Sequence, residues 1–229
     1  MKVGVLGKRL LRASEFVRQD AYLADIGTDH AYLPLFLLDS GRIRGAVCAD
    51  INPAPLDSAV RNAALYGHTD KIKFILTDGA EGLGGLGITD YTVCGMGGEL
   101  IADIIERSPH LKSGGVRLIL QPMTKQAHLR RYLAASGFSV LYEAYSKDSG
   151  KFYLTIVAEY DGNVRRISDF EAELGKIDRE SISDEQAGFL KAKLSALKKA
   201  ATGKGRSGAD SYEAAIVAEY EKIMGEREI

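Results

Sequence analysis

Tyr22-Leu-Ala-Asp-Ile-Gly-Thr-Asp-His-Ala-Tyr-Leu-Pro34 decides the fold of this chain. An apolar strand ends on an acid, Asp25, and a glycine turn then runs into residues that begin a helix. Two more apolar runs also end on acids: Ala46-Val-Cys-Ala-Asp50 and Phe74-Ile-Leu-Thr-Asp78. Three carboxylates at three successive strand ends are the footprint of a Rossmann-type nucleoside site.

Working outward, strands are expected at 22–26, 45–50, 72–77, 91–94 and 116–120. Helices are expected between them. The first runs over 31–39, with Pro34 near its start, where a missing N–H is tolerated, and Gly41 past its end. The second is capped by Asn52, carries Pro53 and Pro55 in its first turn, and stops at Gly67. The glycine-rich stretch Gly79 to Gly87 is a loop. Tyr91-Thr-Val-Cys94 runs into Gly95-Met-Gly-Gly98 and a helix bearing Leu100, Ile101, Ile104 and Ile105. A further helix spans 125–136 and stops at Gly137. Upstream, Leu10, Leu11, Phe16 and Val17 among Lys8, Arg9, Arg12 and Arg18 make a short amphipathic helix lying on this domain. Alternation of strand and helix five times predicts an α/β fold: a doubly wound parallel sheet covered on both faces.

The next segment breaks the alternation. Phe138 to Tyr145 and Phe152 to Tyr160 are β-rich and joined by Ser146-Lys-Asp-Ser-Gly150, with no room for a helix, so they pair as an antiparallel hairpin. A parallel sheet closed by such a hairpin is the usual ending of class I methyltransferases. Composition shifts near Asp161. Ser168 with Glu171, Ser183 with Gln186 and Asp210 with Glu213 read as N-caps with their N3 partners, each ahead of one apolar stripe. The expected organisation is therefore a cofactor-binding Rossmann-like domain over 1–160 and a small all-α domain over 161–229, with the last two helices forming an antiparallel hairpin.

Composition narrows the function classes. The 229 residues are 45% hydrophobic with a net charge of −1, so no global field draws the chain to nucleic acid or an anionic membrane. Both cysteines, Cys48 and Cys94, sit in expected strands and read as core thiols of a reducing cytosol. No apolar run approaches about 18 residues, and nothing like a secretion signal follows Met1. A cytoplasmic monomer without a membrane span is expected. The four histidines show no metal-ligand spacing, so no metal is expected.

The turn ladder reads Asp25-x-Gly27-x-Asp29-x-Ala31, thin in phosphate-binding glycines, which favours S-adenosylmethionine over a dinucleotide. Asp25 and Gly27, with Thr28 and His30 beside them, are candidates to hold the methionine part of that cofactor; His30 also reads as a structural histidine. Asp50, 25 residues after Asp25, can accept both ribose hydroxyls, with Ile51 next to it. It also reads as the start of the turn into the Asn52 helix. Asp78 can accept an adenine amino group while Gly79 lets the ring approach, although an Asp-Gly turn needs no ligand. Gly95, Met96 and Gly97 end strand four at the topological switch point and are candidates to meet the methyl acceptor; Gly95 is also a cofactor candidate. Asp29 either faces the acceptor or caps the next helix. Lys8, Arg9 and Arg12, and Lys191, Lys198, Lys199, Lys204 and Arg206, are candidate contacts for RNA phosphates, against the plainer reading of solvated helix faces.

Asp25-Ile-Gly-Thr-Asp-His-Ala-Tyr-Leu-Pro34, Gly95-Met-Gly-Gly98 and Leu118-Ile-Leu-Gln-Pro122 together resemble the bacterial tRNA (adenine(22)-N1)-methyltransferases, over roughly residues 5 to 160. The tail resembles that family's helical C-terminal part in architecture. The resemblance implies S-adenosylmethionine as methyl donor, adenine N1 in the tRNA D-arm as acceptor, Asp25, Gly27, Asp50, Asp78 and Gly79 around the cofactor, and Asp29 with the Gly95–Gly98 turn facing the base. Two alternatives stand beside it. One is a class I methyltransferase acting on a small molecule or protein. The other is a non-catalytic RNA-binding protein with a decayed cofactor site.

Overall fold

The computed structural model describes residues 4, 6–178, 180–203 and 211–225. They form two compact units, Met1–Arg165 and Arg166–Ile229.

The first unit is built on one seven-stranded sheet. In chain order its strands are β1 (Ala21–Ile26), β2 (Ile43–Asp50), β3 (Ile72–Leu76), β4 (Asp90–Gly97), β5 (Arg117–Thr124), β6 (Phe138–Asp148) and β7 (Lys151–Tyr160). Across the sheet they run β3-β2-β1-β4-β5-β7-β6. The first five are parallel; β7 lies antiparallel to β5, and β6 antiparallel to β7. Helices α1 (Lys8–Ser14), α2 (Tyr32–Asp39), α3 (Pro53–Tyr66), α4 (Gly98–Glu106) and α5 (Gln126–Ala135) accompany it. The central strands carry continuous buried apolar runs, as strands covered on both faces do. Leu23, Ala24, Ala46, Val47, Leu118, Ile119 and Leu120 are fully buried.

From β1 the chain winds outward to β2 and β3, then returns to the other side of β1 as β4. That reversal between β1 and β4 creates the switch point, and ligands of such sheets bind beyond the carboxyl ends of the strands there. The amino end is fixed by Arg18, whose main-chain N–H and Nε both donate to the fully buried Asp90 carboxylate at 2.9 Å.

The structure departs from the sequence expectations at the strand ends. β4 does not stop at Cys94 but continues through Gly95 and Met96 to Gly97, with register shifts against β5 at Cys94/Met96 and Met96/Gly97. β5 likewise extends through Pro122 to Thr124. Ser146, Lys147 and Asp148 belong to β6, and the hairpin turns on Ser149 and Gly150 alone. Both residues have positive φ (47° and 79°), as a two-residue turn matching strand twist requires. Asn52 occupies the N-cap position of α3, but its side chain makes no capping bond.

The second unit contains α6 (Asp169–Leu174), α7 (Asp184–Gly203) and α8 (Tyr212–Gly225). Phe170, Leu174, Leu190, Leu194, Leu197, Ile216 and Val217 form one core, so three helices share it rather than two. The Ser168 and Ser183 hydroxyls accept from the N–H groups of Glu171 and Gln186. Ser211 Oγ accepts from Ala214 N–H at 3.3 Å at the start of α8; the cap expected at Asp210 lies outside the described residues. Among the described residues no helix is long and apolar enough to cross a membrane.

Candidate active site

The three acid-ending strands are stitched together at their carboxyl ends by main-chain bonds. Gly27 and Thr28 N–H donate to Ala49 O at 2.8 and 3.1 Å, and Thr77 N–H donates to Asp50 O at 2.9 Å. With Ile26 beside Ala49 and Asp50 beside Leu76, the Gly27 turn, Asp50 and the approach to Asp78 lie side by side on one edge.

Asp25 is buried at the end of β1. Its two carboxylate oxygens accept from Thr92 Oγ1 at 2.8 Å and Thr28 Oγ1 at 2.7 Å. Burial pushes its pKa up to about 6, against the pull of the two hydroxyls and of Arg9; the Asp50 charge pushes the same way as burial. Asp25 therefore shapes the turn from beneath. Asp50 accepts from Asn52 N–H through Oδ1 at 2.7 Å, so it does begin the turn into α3; among the described residues Oδ2 has no partner. Next to it Ile51 is 60% exposed, and on β3 Leu76 is 59% exposed. Two large apolar side chains left in solvent beside a carboxylate with a spare oxygen fit the faces of a base and the edge of a ribose.

Asp78 lies just past the end of β3, beyond Leu76 and Thr77, and Arg107 grips both its oxygens at 3.1 Å. Gly79 (φ +63°) is close-packed: a Cβ there would stand 2.8 Å from Ile104 Cγ1. The Gly27 turn (φ +71°) and β4 also touch, since a Cβ on Gly27 would fall 2.2 Å from Met96 Cε. The switch point thus brings Gly27 and Met96 together. Gly97 and Gly98 serve packing. A Cβ on Gly97 would stand 3.2 Å from Thr124 Oγ1, and one on Gly98 would stand 2.4 Å from Lys125 O.

His30 and Ala31 both adopt left-handed backbone (φ 60° and 57°), and Asn62 Nδ2 donates to His30 O at 2.9 Å. Consecutive non-glycine residues in this region carry strain and cluster at functional sites. The His30 ring stacks on Tyr32 at 5.3 Å, and its Nε2 lies 3.2 Å from Asp29 Oδ1. Asp29 makes no capping bond to α2, whose N-cap is Ala31; its side chain is 81% exposed at the mouth of the turn.

Of the basic candidates, Arg9 lies at this edge: its Nη1 donates to Gln121 Oε1 at 2.5 Å. Lys8 is exposed, and Arg12 pairs with Glu15 and lies over the Phe16 ring. In the second unit Lys191 and Lys199 are exposed, while Lys198 is held by Glu221 at 2.7 Å. Lys204 and Arg206 lie outside the described residues. Sequence reasoning missed Thr92, Asn62, Leu76, Arg107 and Gln121. Only Gln121 carried a signal, a polar residue closing the apolar run Leu118-Ile-Leu120.

Strand order, closing hairpin and an acid-lined carboxyl edge define a class I, S-adenosylmethionine-dependent methyltransferase. Residues 6–156 match the family described as a methyltransferase domain. The tRNA (adenine(22)-N(1))-methyltransferase of Bacillus subtilis is 35% identical over 164 residues, covering 69% of each chain. A Streptococcus pneumoniae protein solved in complex with S-adenosyl-L-methionine superposes with a TM-score of 0.83, at 31% identity over 94% of this chain and 99% of that one. The structure of the B. subtilis m1A22 tRNA methyltransferase gives 0.81, at 27% identity over 97% and 98%. The chain belongs to the tRNA (adenine(22)-N1)-methyltransferase family.

Proposed function

We propose that this enzyme methylates N1 of adenine 22 in the D-arm of bacterial tRNA, with S-adenosylmethionine as donor. The observation that carries the reading is the stitched carboxyl edge, where the Gly27 turn, Asp50 with its spare oxygen and the exposed Ile51 adjoin β4 at the switch point. When bound, the cofactor supplies an electrophilic methyl group on a sulfonium.

The chain's own residues bind and align. The Gly27–Thr28 turn, supported by Asp25 and flanked by His30, holds the methionine end. Asp50 accepts from the ribose hydroxyls through its spare oxygen, Ile51 covers one face of the adenine, and Asp78 with Gly79 borders its far edge. Gly95, Met96 and Gly97 shape the wall between donor and acceptor. Adenine N1 is a neutral in-plane nucleophile, so alignment is the main task, and good orientation can lower a barrier by about 7–11 kcal/mol. As N1 is alkylated the base becomes cationic. The Asp29 carboxylate, exposed at the mouth, stabilises that charge or takes a proton from the amino group. Because N1 is on the pairing edge, the nucleotide must be unpaired or flipped, at a few kcal/mol that phosphate contacts offset. Lys8 and Arg12 in the first unit, and Lys191, Lys198 and Lys199 in the second, supply such contacts.

A thermal-shift titration tests the cofactor half. S-adenosylmethionine raises Tm of the wild type, because a ligand of the folded state alone must stabilise it. Asp50→Ala loses most of that shift. An unshifted wild type at millimolar cofactor contradicts the reading.

A further inference from the structure

We propose that the tip of the β6–β7 hairpin, through Lys147 and Lys151, is a docking site for the tRNA backbone beside the flipped adenine; this rests on the tRNA reading proposed above. β7 lies antiparallel to β5 and β6 antiparallel to β7, so β6 runs with the parallel strands and the hairpin tip stands at their carboxyl edge. Helix α1 fixes it there. Asp148 Oδ2 accepts from Arg9 N–H at 3.2 Å, which satisfies an open amide of the first turn. A Cβ on Gly7 would stand 2.8 Å from the same oxygen. The Arg9 guanidinium in turn reaches to 3.7 Å from where a Cβ on Gly95 would stand. The tip, the first turn of α1 and the end of β4 therefore adjoin along one edge.

That edge is divided by charge. The ends of β3, β2 and β1 carry Asp78, Asp50, Asp25 and, past the turn, Asp29. Beyond β4 the sign reverses: Lys125 follows β5, Lys8 opens α1, and Lys147 and Lys151 flank the hairpin turn. The acids on this half are engaged, Asp148 by the α1 amide and Glu99 by Lys125 at 3.4 Å. Lys147 stands opposite Phe152 on one face of the tip, its Nζ 5.3 Å from the ring centroid, and Lys151 stands opposite Asp148 on the other. Both lysines are exposed. Among the described residues neither they nor Lys8 pairs with a carboxylate, whereas Lys112, Lys193 and Lys198 do. The acidic half suits a cofactor that offers hydroxyls and a cationic sulfonium, and it repels phosphates. The RNA strand that delivers the adenine therefore crosses the cationic half. The tip lies two to three strand spacings from β4, roughly 10–14 Å, within reach of the phosphates that flank the target base. Backbone contacts of this kind set the strand's position without reading its sequence.

Fluorescence anisotropy with an unmodified tRNA transcript tests this on the full-length wild type, Lys147→Ala/Lys151→Ala and Lys71→Ala/Lys73→Ala. The second pair removes the same charge from exposed residues at the amino end of β3, on the opposite edge of the sheet. The hairpin variant should bind tRNA about 3- to 10-fold more weakly, with a log–log salt slope shallower by about one to two. Its Tm and its S-adenosylmethionine affinity should match wild type, and Lys147→Arg/Lys151→Arg should restore tRNA binding. Lys71→Ala/Lys73→Ala should bind tRNA like wild type. Equal weakening by the two alanine pairs makes the effect one of net charge and overturns the proposal. So does a hairpin variant whose affinity and salt slope are unchanged. A wild type that binds S-adenosylmethionine but no tRNA overturns the substrate reading itself, and this docking site with it.

Discussion

Asp25 is the acid that opens the diagnostic sequence stretch, yet it is the most enclosed of the three. Its carboxyl, pushed up to about 6 by burial, is bonded by two threonine hydroxyls. A folded pKa above the unfolded one means the native state binds the extra proton. The stabilisation is full below the unfolded value near 3.8 and is lost as pH rises through about 6. Denaturant unfolding of wild type and Asp25→Asn between pH 4 and pH 7 should show the stability difference moving in the variant's favour as pH rises. Its ceiling is about 3 kcal/mol at 1.36 kcal/mol per unit. A pH-independent difference contradicts the burial argument. Asp29 is the opposite case, exposed, with the Nε2 of its neighbour His30 3.2 Å from its Oδ1. Asp29→Ala should leave Tm and cofactor affinity near wild type and lower kcat by about 100-fold or more. Unchanged turnover removes Asp29 from the chemistry.

At the scale of elements, the β4–α4 junction is the least tolerant. A Cβ on Gly98 would meet Lys125 O at 2.4 Å and Thr124 O at 3.0 Å, both main-chain atoms that cannot step aside. Gly98→Ala should cost about 1–3 kcal/mol in denaturant unfolding. Gly114→Ala, in open space, should stay within about 0.5 kcal/mol. Equal effects contradict the packing role assigned to Gly98. The parallel strands and their helices were legible because buried apolar runs and the turn residues Gly27, Gly41 and Gly67 agree with one another. The extension of β4 through Gly95-Met-Gly97 was not. Glycines weaken strand propensity, and only pairing with β5, a tertiary fact, keeps that segment in the sheet. The site was legible as a row of strand-end acids, since the period of the sheet puts them on one edge. What each acid bonds to was hidden. Thr92 on β4 and Arg107 after α4 are 67 and 29 residues from the carboxylates they engage. Arg9 read as one more cation on an amphipathic helix, because the Gln121 contact that turns it inward spans 112 residues.

For the whole molecule, the division of labour between the two units is testable. Lys191 and Lys199, exposed on α7, are assigned to tRNA phosphates, so Lys191→Ala/Lys199→Ala should raise KM for tRNA several-fold and shallow its salt dependence while leaving cofactor affinity unchanged. An unaltered salt slope assigns that face to solvent. On the proposed reading methyl transfer draws on both the cofactor edge and the RNA contacts, so the product is the sharpest readout. The most direct test is transfer of labelled methyl from S-adenosylmethionine to an unmodified tRNA transcript, with the modified position mapped by mass spectrometry. The account predicts one N1-methyladenosine at position 22, absent when that adenine is replaced by guanine. Label at any other nucleotide, or none with a folded, cofactor-bound enzyme, contradicts it.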